Sequence, residues 1–322
     1  MTSTGVRRIG WLGATLVLLA LLVLAVRRID LTRAVAELSH ANMAWLVAAA
    51  LAYAIILPLW ALQWHILSPP APRNAFPTML SVVSMTSLTL NTTPLLIGEA
   101  AGVVLLVARA GLDRASALSV LAMDQVLVGL AKVTVVSIAA LTVTLPPWIH
   151  SAIPYLGGGV AVLLALTLIA AWQYSALAAR AERSLLPRLA NALVRMGRAL
   201  EPLRSPARGG SALAIALAKK AVEVLAILMV QRAFGVSLPI ASAVLVLAAL
   251  NLATLLPLVP ANVGVYEGAV VLAYMQFGVS AELALGMAVL QHCCYFVALS
   301  LPGYVWFARA ALPPPPNAAA AS

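Results

Sequence analysis

Long apolar stretches, broken by short polar or charged punctuation, run through almost the whole chain. Runs at 9–26, 43–67, 116–145, 153–172, 211–234 and 281–308 are each about as long as a helix that crosses a bilayer. None shows the alternating ten-residue pattern of a membrane strand. Pro58 should kink the second run. Two further segments are interrupted. The run 76–93, rich in hydroxyls (Ser81, Ser84, Thr86, Ser87, Thr89), meets a break at Asn91–Glu99 and a short run to Ala108. The run 238–257 meets a break at 257–267 and a short run to Phe277. The pattern predicts an all-α polytopic membrane protein with about six transmembrane helices and two broken helix pairs.

The two breaks look alike. The first holds Pro94, Gly98 and Glu99, then Gly111, Ala117-Leu118 and Asp124-Gln125. The second holds Pro260, Asn262, Gly264, Tyr266 and Glu267, then Gly278, Ala284-Leu285 and Gln291-His292. The offset is 166 at the prolines, 168 at the glutamates and 167 downstream. A bilayer accepts broken backbone with a carboxylate only where it is buried in protein or lines a wet cavity. Paired interruptions of this kind in two halves of a chain point to a transporter's binding site.

The short second arms hold about ten residues, some 15 Å of helix, which is too little to cross. Each pair is therefore expected to be a re-entrant hairpin that enters and leaves on one side. With Arg7 and Arg8 inside, Arg73, Arg109, Arg114, the arginines of 180–208 and Arg309 all fall inside, so nearly every basic loop is cytoplasmic, and the loop with Arg27, Arg28 and Arg33 is the exception. Both termini are then cytoplasmic. Three spans separate the hairpins, so the repeats (about 76–145 and 238–308) are inverted, with tips that can meet near the midplane. The whole of 1–310 reads as one integral domain and 311–322 as a disordered, low-complexity tail. The N-terminal run lacks a small-residue cleavage site and reads as an uncleaved first helix.

Composition agrees and narrows the choice. The chain is 63% hydrophobic and 9% charged, far from the balance of a soluble domain. Its net charge of +10 comes with seven of twenty basic residues between Arg180 and Arg208. That is the mark of cytoplasmic loops facing anionic lipid, not of nucleic-acid binding. Leu186, Leu189, Leu193, Met196 and Leu200 form one stripe among those arginines, so 175–210 is either a basic amphipathic helix on the membrane or a linker packed on the bundle. Cys293 and Cys294 are adjacent and read as packing residues, and the four histidines have no metal spacing. No metal, nucleotide or other cofactor motif is present.

Pro94-x-x-x-Gly98-Glu99 followed by Gly111, together with Asn251-x-x-Thr254-x-x-Pro257 and Pro260-x-Asn262-x-Gly264-x-x-Glu267-Gly268, resembles the transmembrane region of lysylphosphatidylglycerol synthases. The likeness runs over roughly 9–310. It implies a flippase-like protein of the bacterial inner membrane that moves a lipid or lipid-linked molecule between leaflets. The partners it implies are anionic phospholipids, aminoacylated, glycosylated or hopanoid lipids, and a separate lipid-synthesis enzyme; self-association is left open. The aminoacyl-transfer domain of the full synthases is not part of these 322 residues, so synthase activity is not expected. Two alternatives stand beside transport: a membrane glycosyl- or acyltransferase using the same carboxylates, and a non-transporting partner of a lipid-synthesis enzyme.

Each candidate residue has a local and a functional reading. Glu99 and Glu267 could complement helix dipoles or bind a headgroup at the hairpin tips. Asn91, Asn262, Thr92 and Thr93 could satisfy open backbone or bind substrate. Gly98 and Gly264 are expected to take unusual backbone angles, and Pro94, Pro257 and Pro260 to fix the breaks. Arg109 could hold a lipid phosphate or serve only as a topology signal. Tyr266 and His292 join the candidate substrate-binding set, as does Asp124, which is expected to pair with Lys132, Lys219 or Lys220. Lys219 and Glu223, four apart, could pair, with both lysines snorkelling to the inner face.

Overall fold

The computed structural model describes residues 38–69, 75–93, 97–181, 205–254 and 260–311. All regular structure among them is helical: α1 (Met43–Ala54), α2 (Ile56–Leu67), α3 (Phe76–Thr92), α4 (Ile97–Ala108), α5 (Arg114–Thr142), α6 (Pro147–Ala181), α7 (Pro206–Ala233), α8 (Ile240–Ala253), a 3₁₀ turn (Pro260–Asn262), α9 (Val265–Met275) and α10 (Ala281–Ala311). The expected first helix at 9–26, Pro94, Pro257, most of the 175–210 segment and all but the first residue of the tail lie outside the described residues.

Local chemistry sets most of these boundaries. Asn42 caps α1 by accepting from Ala44 N–H at 3.0 Å. Asp113 caps α5, accepting from Ala115 N–H at 2.9 Å and the Ser116 hydroxyl at 2.6 Å. The break between α1 and α2 falls at Ile55, not at Pro58 itself. A proline ring displaces the carbonyl four residues back, here that of Ala54. The expected helix at 153–172 starts earlier, at Pro147, and carries Pro154 in its first turns.

Two apolar cores hold the bundle. One surrounds the pair α8 and α9, through Leu245, Val246, Ala249, Val270 and Tyr274. The other surrounds α3 and α4, through Met79, Val82, Val83 and Leu106. The long helices run between them. α5 gives Val120 and Met123 to the α3/α4 core and Val135 and Ala139 to the α8/α9 core. α7 runs the same way, from Ala212 and Ala216 to Ile227 and Val230. α10 runs back, from Met287 in the α8/α9 core to Leu299 in the α3/α4 core. Each short pair stays in one core, and α3 also touches the 3₁₀ turn of the other break.

Met43–Leu67, Arg114–Thr142, Ile149–Leu166 and Ala281–Arg309 are each long and apolar enough to cross a membrane. α7 is 28 residues long and has the length but carries Lys219, Lys220 and Glu223 within it. The chain is a multi-pass helical membrane protein. Of the short arms, α4 has 12 residues and α9 has 11, roughly 17 Å each at 1.5 Å per residue.

Candidate functional site

The ends of the broken pairs converge on one cavity. At the first break, α4 packs against the last turns of α3 because Gly98 has no side chain. A Cβ there would lie 2.7 Å from the Leu90 Cα. Gly98 is therefore needed for close approach, and not for the unusual backbone angle expected of it; its backbone is helical. At the second break the angle is real. Ala261 and Asn262 both have φ 55°, and Gly264 has φ 83°. Two consecutive non-glycine residues in the left-handed region cost about 1 kcal/mol or more each.

Glu267 holds this strained turn from the first turn of α9. One carboxylate oxygen accepts from Gly264 N–H at 2.6 Å, and the other lies 2.6 Å from His292 Nδ1 on α10. The His292 ring stacks on Tyr266 at 4.1 Å, and the Tyr266 hydroxyl accepts from Gln291 at 2.8 Å. Glu267 thus meets the local reading, capping its own helix, and also reaches across to α10. Glu99, at the corresponding place in the first break, has a buried oxygen with no hydrogen-bond partner.

Between the two breaks lies a cavity of about 300 Å³. Asn91 and Glu99 line it from the first pair, and Asn251, Asn262 and Tyr266 from the second. Asp124 and Lys132 of α5, Lys219, Lys220 and Glu223 of α7, and His292 of α10 complete its polar wall. Lys220 pairs with Glu223 at 2.9 Å and donates to the Asn251 side-chain oxygen Oδ1 at 3.2 Å. Lys219 stands 3.9 Å from Asp124 and 5.6 Å over the Trp60 ring. Asp124, Lys219 and Asn251 are all buried.

Of the candidate residues, Asn91, Glu99, Asp124, Asn262, Tyr266 and His292 meet at this cavity, with Glu267 bonded just behind His292. Arg109 does not. It donates to the Ser81 hydroxyl at 3.2 Å in a separate groove beside Trp306. Thr92 and Thr93 bond back to the carbonyls of Leu88 and Thr89, so their hydroxyls serve their own helix. Pro260 opens the 3₁₀ turn. Asp124 does pair with Lys219, as expected. The lysines depart from expectation. Lys219 is buried rather than snorkelling, and Glu223 pairs with Lys220 rather than Lys219. Cys294 packs within the bundle, its thiol 3.5 Å from the Leu46 carbonyl, and both cysteines are free.

A bundle that sinks three lysines and three carboxylates into one cavity pays heavily in desolvation unless a ligand uses them. Compared with known families, residues 11–303 match the lysylphosphatidylglycerol synthase TM region. The chain belongs to that family. No curated protein and no solved structure matches it. Membership places this multi-pass protein in lipid metabolism or transport.

Proposed function

We propose that the protein is a lipid flippase of a bacterial inner membrane, and that the cavity between the two breaks receives the headgroup while the acyl or polycyclic tail stays in lipid. The observation that carries this reading is the cavity itself: backbone breaks from two corresponding halves, with unpartnered buried polar atoms on both, face one charged space. Asn91, Glu99 and Asn262 meet the headgroup, and Glu267 with His292 holds the second tip in shape. Gly98, Gly264 and the prolines of the breaks shape the backbone there.

The pairs α3/α4 and α8/α9 act as re-entrant hairpins from opposite faces, in inverted repeats of about 76–145 and 238–308 within one integral domain. Their confinement to separate cores, with α5 and α10 running between those cores in opposite directions, supports this arrangement. Inverted repeats around a central site suit alternating access.

A leaflet-resolved assay tests the function. Vesicles reconstituted with the full chain should exchange labelled phospholipid between leaflets faster than protein-free vesicles. Equal rates would overturn the proposal, and covalent product formation would favour a transferase. Topology is tested separately with single cysteines in a background free of Cys293 and Cys294. Thr144→Cys and Ser280→Cys should label from one side and Arg114→Cys from the other. Labelling of all three from one side would end the inverted arrangement.

A further inference from the structure

The cavity's unmet hydrogen bonds and charges define the ligand more narrowly than "lipid", and the inference rests on the transport reading of the same site. Lys219 is matched by Asp124 and Lys220 by Glu223. Two lining charges remain. Lys132 forms no hydrogen bond or ion pair with a described residue, although Glu223 and Glu99 are the carboxylates in its field. Glu99 keeps one buried oxygen without a partner. Trp60 Nε1 and one Asp124 oxygen also lack a hydrogen-bond partner but act on each other, which leaves two neutral lining groups unmet: the Asn251 amide nitrogen, a donor, and the Asn262 side-chain oxygen, an acceptor. His292 is answered by Glu267 behind it. What is left over is one cation with one donor, and one anion with one acceptor.

We propose that the cavity selects a net-neutral, zwitterionic headgroup, with its phosphate at Lys132 and the Asn251 amide and its ammonium at Glu99 and the Asn262 oxygen. A net-anionic headgroup would leave Glu99 and the Asn262 oxygen desolvated and unpaired. A net-cationic one that keeps its phosphate would instead bring a second ammonium into the cavity with no unmatched carboxylate to receive it. Unpaired buried groups of this kind make selection steep, because each carries its full desolvation penalty. The matched pairs Lys219–Asp124 and Lys220–Glu223 keep the rest of the wall electrically neutral, so the selection falls on the two unmatched residues.

The test is equilibrium binding to the purified full chain in neutral detergent, with three short-chain lipids as probes. They are a phosphoethanolamine lipid, a phosphoglycerol lipid, and a lysine ester of the phosphoglycerol lipid carrying net positive charge. The wild type should bind the first at least tenfold tighter than either other. Glu99→Gln should lose that preference toward the net anion, and Lys132→Met toward the net cation. Glu99→Asp and Lys132→Arg, which keep the charges, should keep the preference. Tightest wild-type binding to a net-charged lipid would overturn the inference, as would Glu99→Gln and Lys132→Met weakening all three lipids equally. The preference without leaflet exchange would sustain the inference and sink transport. Exchange at equal rates for all three lipids, with no binding preference, would do the reverse.

Discussion

Glu99 and Glu267 occupy corresponding places in the two breaks but live differently. Glu267 is fully engaged, one oxygen on the Gly264 amide and the other on His292. Glu99 has a buried oxygen facing nothing. The partner residue explains part of the contrast: at the offset of 167, His292 corresponds to Gln125, which lines the cavity as a neutral amide. The backbones differ in the same sense. The second break turns through three positions of left-handed geometry within four residues, at Ala261, Asn262 and Gly264, and a carboxylate holds it. The first is held by close packing, Gly98 on Leu90. One copy of the device spends its carboxylate on structure, and the other keeps a carboxylate oxygen without a partner, the one proposed to meet the headgroup.

The sharpest way to break this comparison is to load the packing at the first tip. Gly98→Ala should cost about 2–3 kcal/mol, because the new methyl meets backbone that cannot move aside. Gly268→Ala, where a Cβ meets open space, should instead gain about 0.5–1 kcal/mol from helix propensity. Thermal unfolding in detergent would show the melting temperatures moving in opposite directions. Equal losses would mean that the first tip is not held by close packing.

The carboxylates come next. Glu267→Gln should cost about 1.5–2 kcal/mol, since a charge-assisted bond is weakened at a strained turn. Glu99→Gln should leave the melting temperature within about 0.5 kcal/mol of wild type, since no bond to that oxygen is lost. A reversed order would put the structural carboxylate at the first tip. Smaller again is Ala261→Gly, expected to stabilise by roughly 1 kcal/mol or less as left-handed strain is relieved against added freedom in the unfolded chain. Thr92→Val should be close to neutral, because its hydroxyl only bonds back to Leu88.

Much of this arrangement was legible in the sequence. The paired breaks, the turn glycines Gly111 and Gly278 with φ 72° and 75°, and the pairing of Asp124 with a lysine all follow from local chemistry and spacing. The kink at Pro58 was legible too, displaced one turn by the proline's own sterics. What sequence could not give is which way long side chains point. Lys219 and Lys220 were expected to reach the membrane surface, and only the packing of α7 against α5 and α8 turns them inward. Position i to i+4 made Glu223 the natural partner of Lys219, but Asp124 on a different helix takes Lys219 instead. Gly98, four residues after Pro94, reads as a glycine of unusual backbone angle, and its role appears only when Leu90 is seen beneath it. Arg109 sat close to the break in sequence, yet lies twelve residues of helix away at the opposite end of α4.

The central claim is that a lipid headgroup crosses through the space between the two tips. Leaflet exchange by vesicles carrying the Glu99→Gln, Glu267→Gln double variant, verified as folded, tests it most directly. The account predicts exchange near that of protein-free vesicles. Exchange at the wild-type rate would contradict it.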